Sequence, residues 1–148
     1  MKLYGDVITW DAAIEAHRRI DGGLIYLASP YSDPDPQVRK VRSILAEHHT
    51  VRLIEAELQV LSPIVYTHRL VTKYRLPHDF DYWRQLDMQI LWGCDAVWVL
   101  LIAGWDTSRG VRAEIKNART WCQPCYVLPH NIKADSAYAR AIVGRKSK

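Results

Sequence analysis

Short apolar runs alternate with stretches of helical periodicity along most of the chain. The runs are rich in Val, Ile and Leu and end in turn-forming residues, which is typical of strands buried on both faces. They cover residues 24–28, 60–65, 96–102 and 126–128. Each run predicts one strand.

The segments between the runs predict helices. Apolar side chains recur with a helical period in residues 11–20, 37–58 and 81–93, and again after Ser108. Asp81 is expected to cap the third of these helices, whose inward stripe would contain Trp83, Leu86, Ile90 and Leu91. Residues 66–79 mix aromatic and basic side chains and predict a loop, while residues 136–143 predict a short last helix.

Alternating strands and helices predict the α/β class. We expect a single three-layer, Rossmann- or flavodoxin-like domain over residues 1–148, with its core at about 24–128. Its sheet would be mostly parallel and contain about four to five strands. In such sheets, ligands bind beyond the carboxyl ends of the strands.

The composition fits one folded domain. Of the 148 residues, 49% are hydrophobic and 24% are charged, which is ordinary for a globular chain able to bury a core. The net charge of +4 mildly favours phosphorylated ligands. Part of the surplus lies in a basic tail at about 144–148, and no dense run of Lys or Arg precedes it, so no nucleic-acid partner is expected.

The sequence has neither a run long enough to span a bilayer nor a signal-peptide core at its start. We therefore expect a cytoplasmic protein without a membrane partner.

Two of the three cysteines, Cys122 and Cys125, have the spacing of the thioredoxin redox motif. In thioredoxins the pair opens a helix after a strand, and the helix N-terminus lowers a thiol pKa. Here the order is reversed, because the pair follows a predicted helix and precedes a predicted strand. An ordinary loop is therefore favoured, and zinc ligands at convincing spacing are absent.

Two acidic residues fall on the apolar sides of predicted helices. Glu114 lies among Val111, Ile115 and Ala118, and Asp87 follows Trp83 by one helical turn. A carboxylate on such a face is costly unless it is paired or faces a cleft. Both residues are therefore candidates for chemistry, although pairing in a structural network is an alternative for each.

Polar residues follow the first three predicted strands, at residues 29–32, 62–63 and 106–110. The carboxyl ends of parallel strands meet at one edge, so these segments are expected to converge.

Four elements of the sequence carry a resemblance to a known family, and one of them is the third predicted strand with its start, Cys94-Asp-Ala-Val-Trp-Val-Leu100. Together with this strand, Tyr26-Leu-Ala-Ser-Pro30, the acid on the helix before the third strand, and Ser108-Arg-Gly-Val-Arg-Ala-Glu114 with Ala118 resemble the nucleoside 2-deoxyribosyltransferase-like superfamily. That group includes deoxyribosyltransferases, 2'-deoxynucleoside 5'-monophosphate N-glycosidases and small, often phage- or prophage-encoded relatives, to which this chain looks closest. The resemblance spans roughly residues 24–128.

The resemblance implies cleavage of an N-glycosidic bond by double displacement. Glu114 would be the nucleophile at C1' of a (deoxy)ribose, Tyr26 would orient it, and Asp87 or Asp106 would contact a sugar hydroxyl or protonate the leaving base. No metal or cofactor is implied. The substrate-binding candidates are Ser29, Pro30, Tyr31, Ser32, Trp105, Asp106, Ser108 and Gly110.

Within this set, Ser29, Ser32 and Ser108 are candidates for holding a 5'-phosphate, with positive charge from Arg109 and Arg112, and Trp105 is the candidate for stacking on a base. The chain departs from the family at the first loop, where Ser-Pro-Tyr-Ser replaces a glycine-rich segment, and at Asp106, which lies too far before Gly110.

The expected function is therefore that of an N-glycoside hydrolase or transferase acting on a nucleoside or nucleotide. Two alternatives are a non-catalytic nucleotide-binding module and a glycohydrolase of a dinucleotide such as NAD. Family members commonly share active sites between subunits, so a homo-oligomer is expected.

Overall fold

The centre of the computed structural model, which describes residues 8–129, is a parallel β-sheet. Its strands are β1 (Ile25–Ala28), β2 (Val60–Leu61), β3 (Ala96–Leu101) and β4 (Cys125–Pro129). Within the described part of the chain the sheet has four strands in the order β2-β1-β3-β4, and all neighbours are parallel. The predicted α/β class and the parallel sheet are thus confirmed.

The helices supply the crossovers that parallel strands require. They are α1 (Trp10–Arg19), α2 (Pro36–Glu55), α3 (Pro63–Tyr74), α4 (Phe80–Trp92) and α5 (Arg109–Thr120). The helix expected at 136–143 and the basic tail lie outside the described residues.

Alternate side chains of β1 and β3 point to opposite faces of the sheet, which creates two cores. On one face, Leu27 and Trp98 pack with residues of α1 and α2. On the other, Tyr26 and Val99 pack with residues of α4 and α5. Helices therefore cover both faces, and the molecule is a three-layer Rossmann-like domain.

The strand expected at 60–65 is present but shorter, and most of the loop expected at 66–79 is helical. The strand ends at Leu61, and α3 begins at Pro63. Ser62 caps this helix by accepting a hydrogen bond from the backbone N–H of Val65, and proline at the first helical position fits because its missing N–H needs no partner there. The Ser-Pro pair therefore starts a helix in addition to ending a strand.

Smaller corrections concern α2 and α4. The side chain of Asp79, rather than Asp81, caps α4 by accepting from the N–H of Tyr82. Leu86 is 40% exposed and lies outside the inward stripe, whose buried members are Trp83, Asp87 and Leu91. The long helix α2 ends at Glu55, before the predicted end at residue 58.

Cys122 lies in the turn after α5, and Cys125 is the first residue of β4, so the pair follows a helix and leads into a strand as the reversed order predicts. Burial raises the pKa of the Cys125 thiol to about 11, the opposite of the shift that activates a redox thiol. Both cysteines are free. The structure therefore favours an ordinary pair of cysteines, one in the turn and one at the start of a strand, over an activated redox motif.

Gly23, just before β1, is held in the left-handed conformation that favours glycine. Its φ is +70°, and a Cβ there would lie 2.2 Å from Asp95 Oδ2, which accepts a hydrogen bond from the Leu24 N–H at 2.7 Å. We expect Gly23→Ala to lower the free energy of unfolding by about 1–3 kcal/mol, because it adds backbone strain and displaces this acceptor. Urea unfolding monitored by circular dichroism measures the change.

Gly93 is the matched control. It has an ordinary negative φ of −79°, and a Cβ there would meet nothing closer than 3.5 Å. Gly93→Ala should therefore stay within about 0.5 kcal/mol of the wild type. Equal losses in the two variants would contradict the strain argument.

Candidate active site

A cleft of about 320 Å³ opens beyond the carboxyl ends of β1 and β3. It is bounded by the β1–α2 loop (residues 29–35), the β3–α5 loop (residues 102–108) and the starts of α4 and α5. These two strands are neighbours in the sheet, so their loops emerge side by side. This is the edge at which parallel α/β sheets bind ligands.

Glu114 lies at the inner end of the cleft. Ser108 caps α5 by accepting a hydrogen bond from the Val111 N–H at 3.2 Å, so Glu114 falls in the second turn and points inward. Its side chain is only 6% exposed and lines the cleft. Among the described residues, its Oε2 has no hydrogen-bond partner.

Tyr26 fixes the orientation of this carboxyl group. Its hydroxyl donates to Glu114 Oε1 at 2.7 Å, and its ring is fully buried in β1. The rigid strand therefore holds one carboxyl oxygen, while the other is buried and has no hydrogen-bond partner among the described residues. The structure thus brings together the tyrosine and the glutamate that the sequence suggested as partners.

Asp87 enters the same cleft from α4. It is 8% exposed, and its Oδ1 lacks a hydrogen-bond partner among the described residues. Ser29 also lines the cleft, and its Oγ is likewise buried without a hydrogen-bond partner among the described residues. Buried polar atoms are normally paired, so three such atoms at one cleft indicate a place completed by a ligand or by water.

Burial shifts both carboxyl groups toward the protonated form. It raises the pKa of Asp87 to about 6. For Glu114, burial dominates and the nearby Asp87 adds to it, while the Tyr26 hydrogen bond acts in the opposite direction, which together raise the pKa to about 8. Between about pH 6 and 8 the pair therefore holds about one proton.

Five of the expected substrate-binding residues line the cleft: Ser29, Tyr31, Ser32, Ser108 and Gly110. Pro30 is buried beside them without contributing to the lining. Trp105 and Asp106 are also outside the lining, and Asp106 is exposed, with its backbone carbonyl accepting two hydrogen bonds from Arg112.

The cleft also contains residues that sequence reasoning did not select. They are Asp33, Arg42, Ile64, Thr67, His78, Asp79, Phe80, Trp83, Gly104, Thr107 and Arg109. Arg109 had been considered only as a source of positive charge, and Trp83 only as a core residue. Arg109 is paired with Asp81 through two hydrogen bonds of 2.9 and 3.0 Å, and both side chains are exposed.

No group of metal-ligating side chains suited to an ion occurs in residues 8–129. The same part of the chain has no helix that is long and apolar enough to cross a membrane.

A protein-family model matches residues 23–129, which is well over half of the chain. The model is described as a domain of unknown function, DUF1937. The chain belongs to the DUF1937 family. None of the curated proteins matches it.

The DUF1937 match begins just before β1 and ends with the last residue of β4. It therefore includes the whole sheet and every cleft residue named above, and leaves out α1. The family description assigns no activity.

Proposed function

We propose that this DUF1937 protein is an N-glycoside hydrolase or transferase that cleaves the base–sugar bond of a (deoxy)nucleotide or nucleoside through a covalent glycosyl-Glu114 intermediate. One observation carries the proposal: two buried carboxyl groups, Glu114 and Asp87, present oxygens without hydrogen-bond partners to one cleft, and Tyr26 fixes the first. The resemblance to deoxyribosyltransferases gives the class of bond.

The first chemical step requires Glu114 to be ionised. Its free oxygen attacks C1', the C1'–N bond breaks, and the electron pair of that bond goes to the base nitrogen. The transition state resembles an oxocarbenium ion, so a fixed carboxylate stabilises the positive charge before it forms the ester bond. Water, or a second base in the transferase case, then attacks C1', and the acid that protonated the leaving base, now a carboxylate, takes up the proton of the attacking group. The C1'–O bond to Glu114 breaks, and Glu114 leaves as a carboxylate.

Asp87 is the proposed proton donor to the leaving base, with contact to a sugar hydroxyl as the alternative. A general acid needs a pKa near the working pH, and its burial supplies such a value at about 6. The pKa values of about 8 and 6 place the single proton on Glu114 in the ligand-free protein. The productive form, with Glu114 ionised and Asp87 protonated, is therefore the minor one-proton form. Developing positive charge on the sugar favours that arrangement, because it stabilises the carboxylate closest to C1'.

The rim of the cleft supports a substrate with a 5'-phosphate. Ser108 and Gly110 lie at the N-terminus of α5, where backbone N–H groups and the helix dipole attract anions. Ser29 and Ser32 line the facing loop. We therefore place a nucleoside 5'-monophosphate ahead of a bare nucleoside.

The base is proposed to pack against the aromatic wall of the cleft rather than Trp105. Tyr31, Phe80 and Trp83 line the cleft, whereas Trp105 does not. We expect Phe80→Ala to raise KM for a cleaved nucleotide about 5- to 30-fold, the loss expected for about 1–2 kcal/mol of base stacking. Steady-state kinetics measures it.

Trp105→Ala is the matched control and should change KM less than about twofold, because its ring lies outside the lining. A larger increase in KM for Trp105→Ala than for Phe80→Ala would mean that the base stacks on Trp105, as the sequence suggested.

Chromatographic detection of free base tests the activity itself. The protein is incubated with (deoxy)nucleosides, their 5'-monophosphates and NAD, with and without a second free base. Base released without an acceptor supports a hydrolase, and exchange only with an acceptor supports a transferase. Binding without turnover across the panel would overturn the enzyme assignment and favour a non-catalytic module.

A homo-oligomer stays a prediction. Large aromatic side chains are exposed on α3 and α4, including Tyr66, Tyr74 and Tyr82. Analytical ultracentrifugation would give the order of any assembly.

A further inference from the structure

Arg42, in the first half of α2, reaches across the cleft rim to two different loops. Its Nη1 donates to the backbone carbonyls of Tyr31 and Ser32 at 3.2 and 2.8 Å, both in the β1–α2 loop. Its Nη2 donates to the carbonyl of Ala103 in the β3–α5 loop at 3.4 Å. One guanidinium group therefore joins the two loops that form the rim.

Gly104 allows this close approach. Its φ is +96°, and a Cβ there would lie 2.2 Å from Arg42 Nη2. A side chain at this position would displace the guanidinium group. The backbone of the β3–α5 loop is thus shaped around the arginine.

The electrostatic environment of Arg42 favours this use of its donors. The side chain is 14% exposed, and Asp33 is its recorded ion-pair partner at 4.0 Å. Burial lowers the pKa of Arg42, and Asp33 counteracts that shift in part. A largely buried guanidinium group whose carboxylate partner is as distant as 4.0 Å satisfies its donors through carbonyl oxygens, and its rigid fork can reach two loops at once.

We propose that Arg42 is a positioning residue that fixes the spacing between the β1–α2 and β3–α5 loops, and so aligns Ser29 and Ser32 with Ser108 for substrate binding. The alignment with substrate rests on the proposed function, whereas the coupling of the loops does not. Loss of the guanidinium group should weaken binding more than chemistry, because Glu114, Asp87 and Tyr26 are held by other elements.

Hydrogen exchange tests the coupling without any substrate. In the β3–α5 loop, the N–H of Trp105 bonds to Ile102, and those of Thr107 and Ser108 bond to Gly104. We expect Arg42→Ala to speed exchange of these three amides at least about tenfold. Unchanged exchange there would overturn the proposal, whether or not the protein cleaves nucleotides.

Arg39 is the matched control on the same helix. It donates to the carbonyls of Asp33 and Pro34, which belong to the β1–α2 loop alone. Arg39→Ala should leave exchange of the β3–α5 amides within about twofold of the wild type. An equal increase in both variants would mean that general loosening of α2, rather than the bridge, protects the loop.

Steady-state kinetics with a deoxynucleoside 5'-monophosphate that the protein cleaves tests whether Arg42 aligns the two loops for substrate binding. We expect Arg42→Ala to raise KM at least about tenfold with kcat within about threefold. Arg42→Lys, which keeps the charge and loses the fork, should still raise KM at least about threefold. A lysine variant with wild-type KM would overturn the positioning role and show that charge alone suffices. If neither the wild type nor any variant cleaves a nucleotide, the proposed function is refuted. The hydrogen-exchange result would then still show whether Arg42 couples the two loops.

Discussion

Glu114→Gln is expected to reduce base release at least about 10³-fold while the protein remains folded. Glutamine has nearly the same shape and can still accept the Tyr26 hydrogen bond, but it cannot form the glycosyl ester or stabilise the cationic sugar as a carboxylate does. The loss corresponds to about 4 kcal/mol of transition-state stabilisation. Free base is measured by chromatography and folding by circular dichroism.

Glu55→Gln provides the matched control for this substitution. Glu55 is an exposed glutamate at the last position of α2, the end of that helix away from the β1–α2 loop. It should retain the wild-type rate within about twofold. More than a tenth of wild-type activity in Glu114→Gln would rule out Glu114 as the nucleophile.

The roles of Glu114 and Asp87 can be separated by the leaving group. A 7-methylated purine carries a positive charge and departs without being protonated. If Asp87 is the acid, Asp87→Asn should lose about 10²-fold on an ordinary purine nucleotide and far less on the methylated one. Glu114→Gln should fail on both. Equal losses for Asp87→Asn on the two substrates would favour the alternative role, contact with a sugar hydroxyl.

The elements that hold Glu114 could be predicted because each has a strong local signal. The apolar run of β3 is long and bounded by polar residues, and Ser108 followed by Val111, Ile115 and Ala118 marks both the start and the inward face of α5. Burial of Glu114 and Asp87 follows from helical geometry alone. The contact between Tyr26 and Glu114 came from the family resemblance, and the structure shows it.

The part of the cleft wall that α3 supplies could not be predicted in the same way. The buried stripe of α3 consists of Pro63, Thr67 and Val71, which is too short and too polar to indicate a helix clearly. A short apolar run such as 60–65 is compatible with a strand and with a helix. The Ser-Pro pair within it does not decide between them, because it fits the end of a strand as well as the start of a helix. Because α3 was not predicted, Ile64 and Thr67 were not recognised as candidates for the site.

Loop residues were a second source of error, for a different reason. Side-chain direction in a loop depends on tertiary contacts rather than on a repeating period, so Trp105 and Asp106 could not be placed from sequence spacing. Arg42 was missed because its partners are backbone carbonyls of distant loops, which leave no mark in the sequence.

The free energy of unfolding of the wild-type protein is expected to fall as pH rises, and Glu114→Gln is expected to abolish the part of this fall that Glu114 causes. The pKa of Glu114 is about 8 in the folded protein, against an ordinary value of 4.5. Between these values the folded state binds more protons than the unfolded state. The free energy of unfolding therefore decreases as pH rises, by up to about 1.4 kcal/mol per pH unit.

Because glutamine does not titrate, the variant should become progressively more stable than the wild type from pH 5 to pH 8.5, with a total gain of about 3–5 kcal/mol. Urea unfolding at intervals across this range measures the difference, and Glu55→Gln should follow the wild-type curve. Parallel curves for wild type and Glu114→Gln would mean that Glu114 is ionised in the folded protein throughout. A widening gap would show that the fold sacrifices stability to keep a carboxyl group in the cleft, as expected of a residue retained for chemistry rather than for packing.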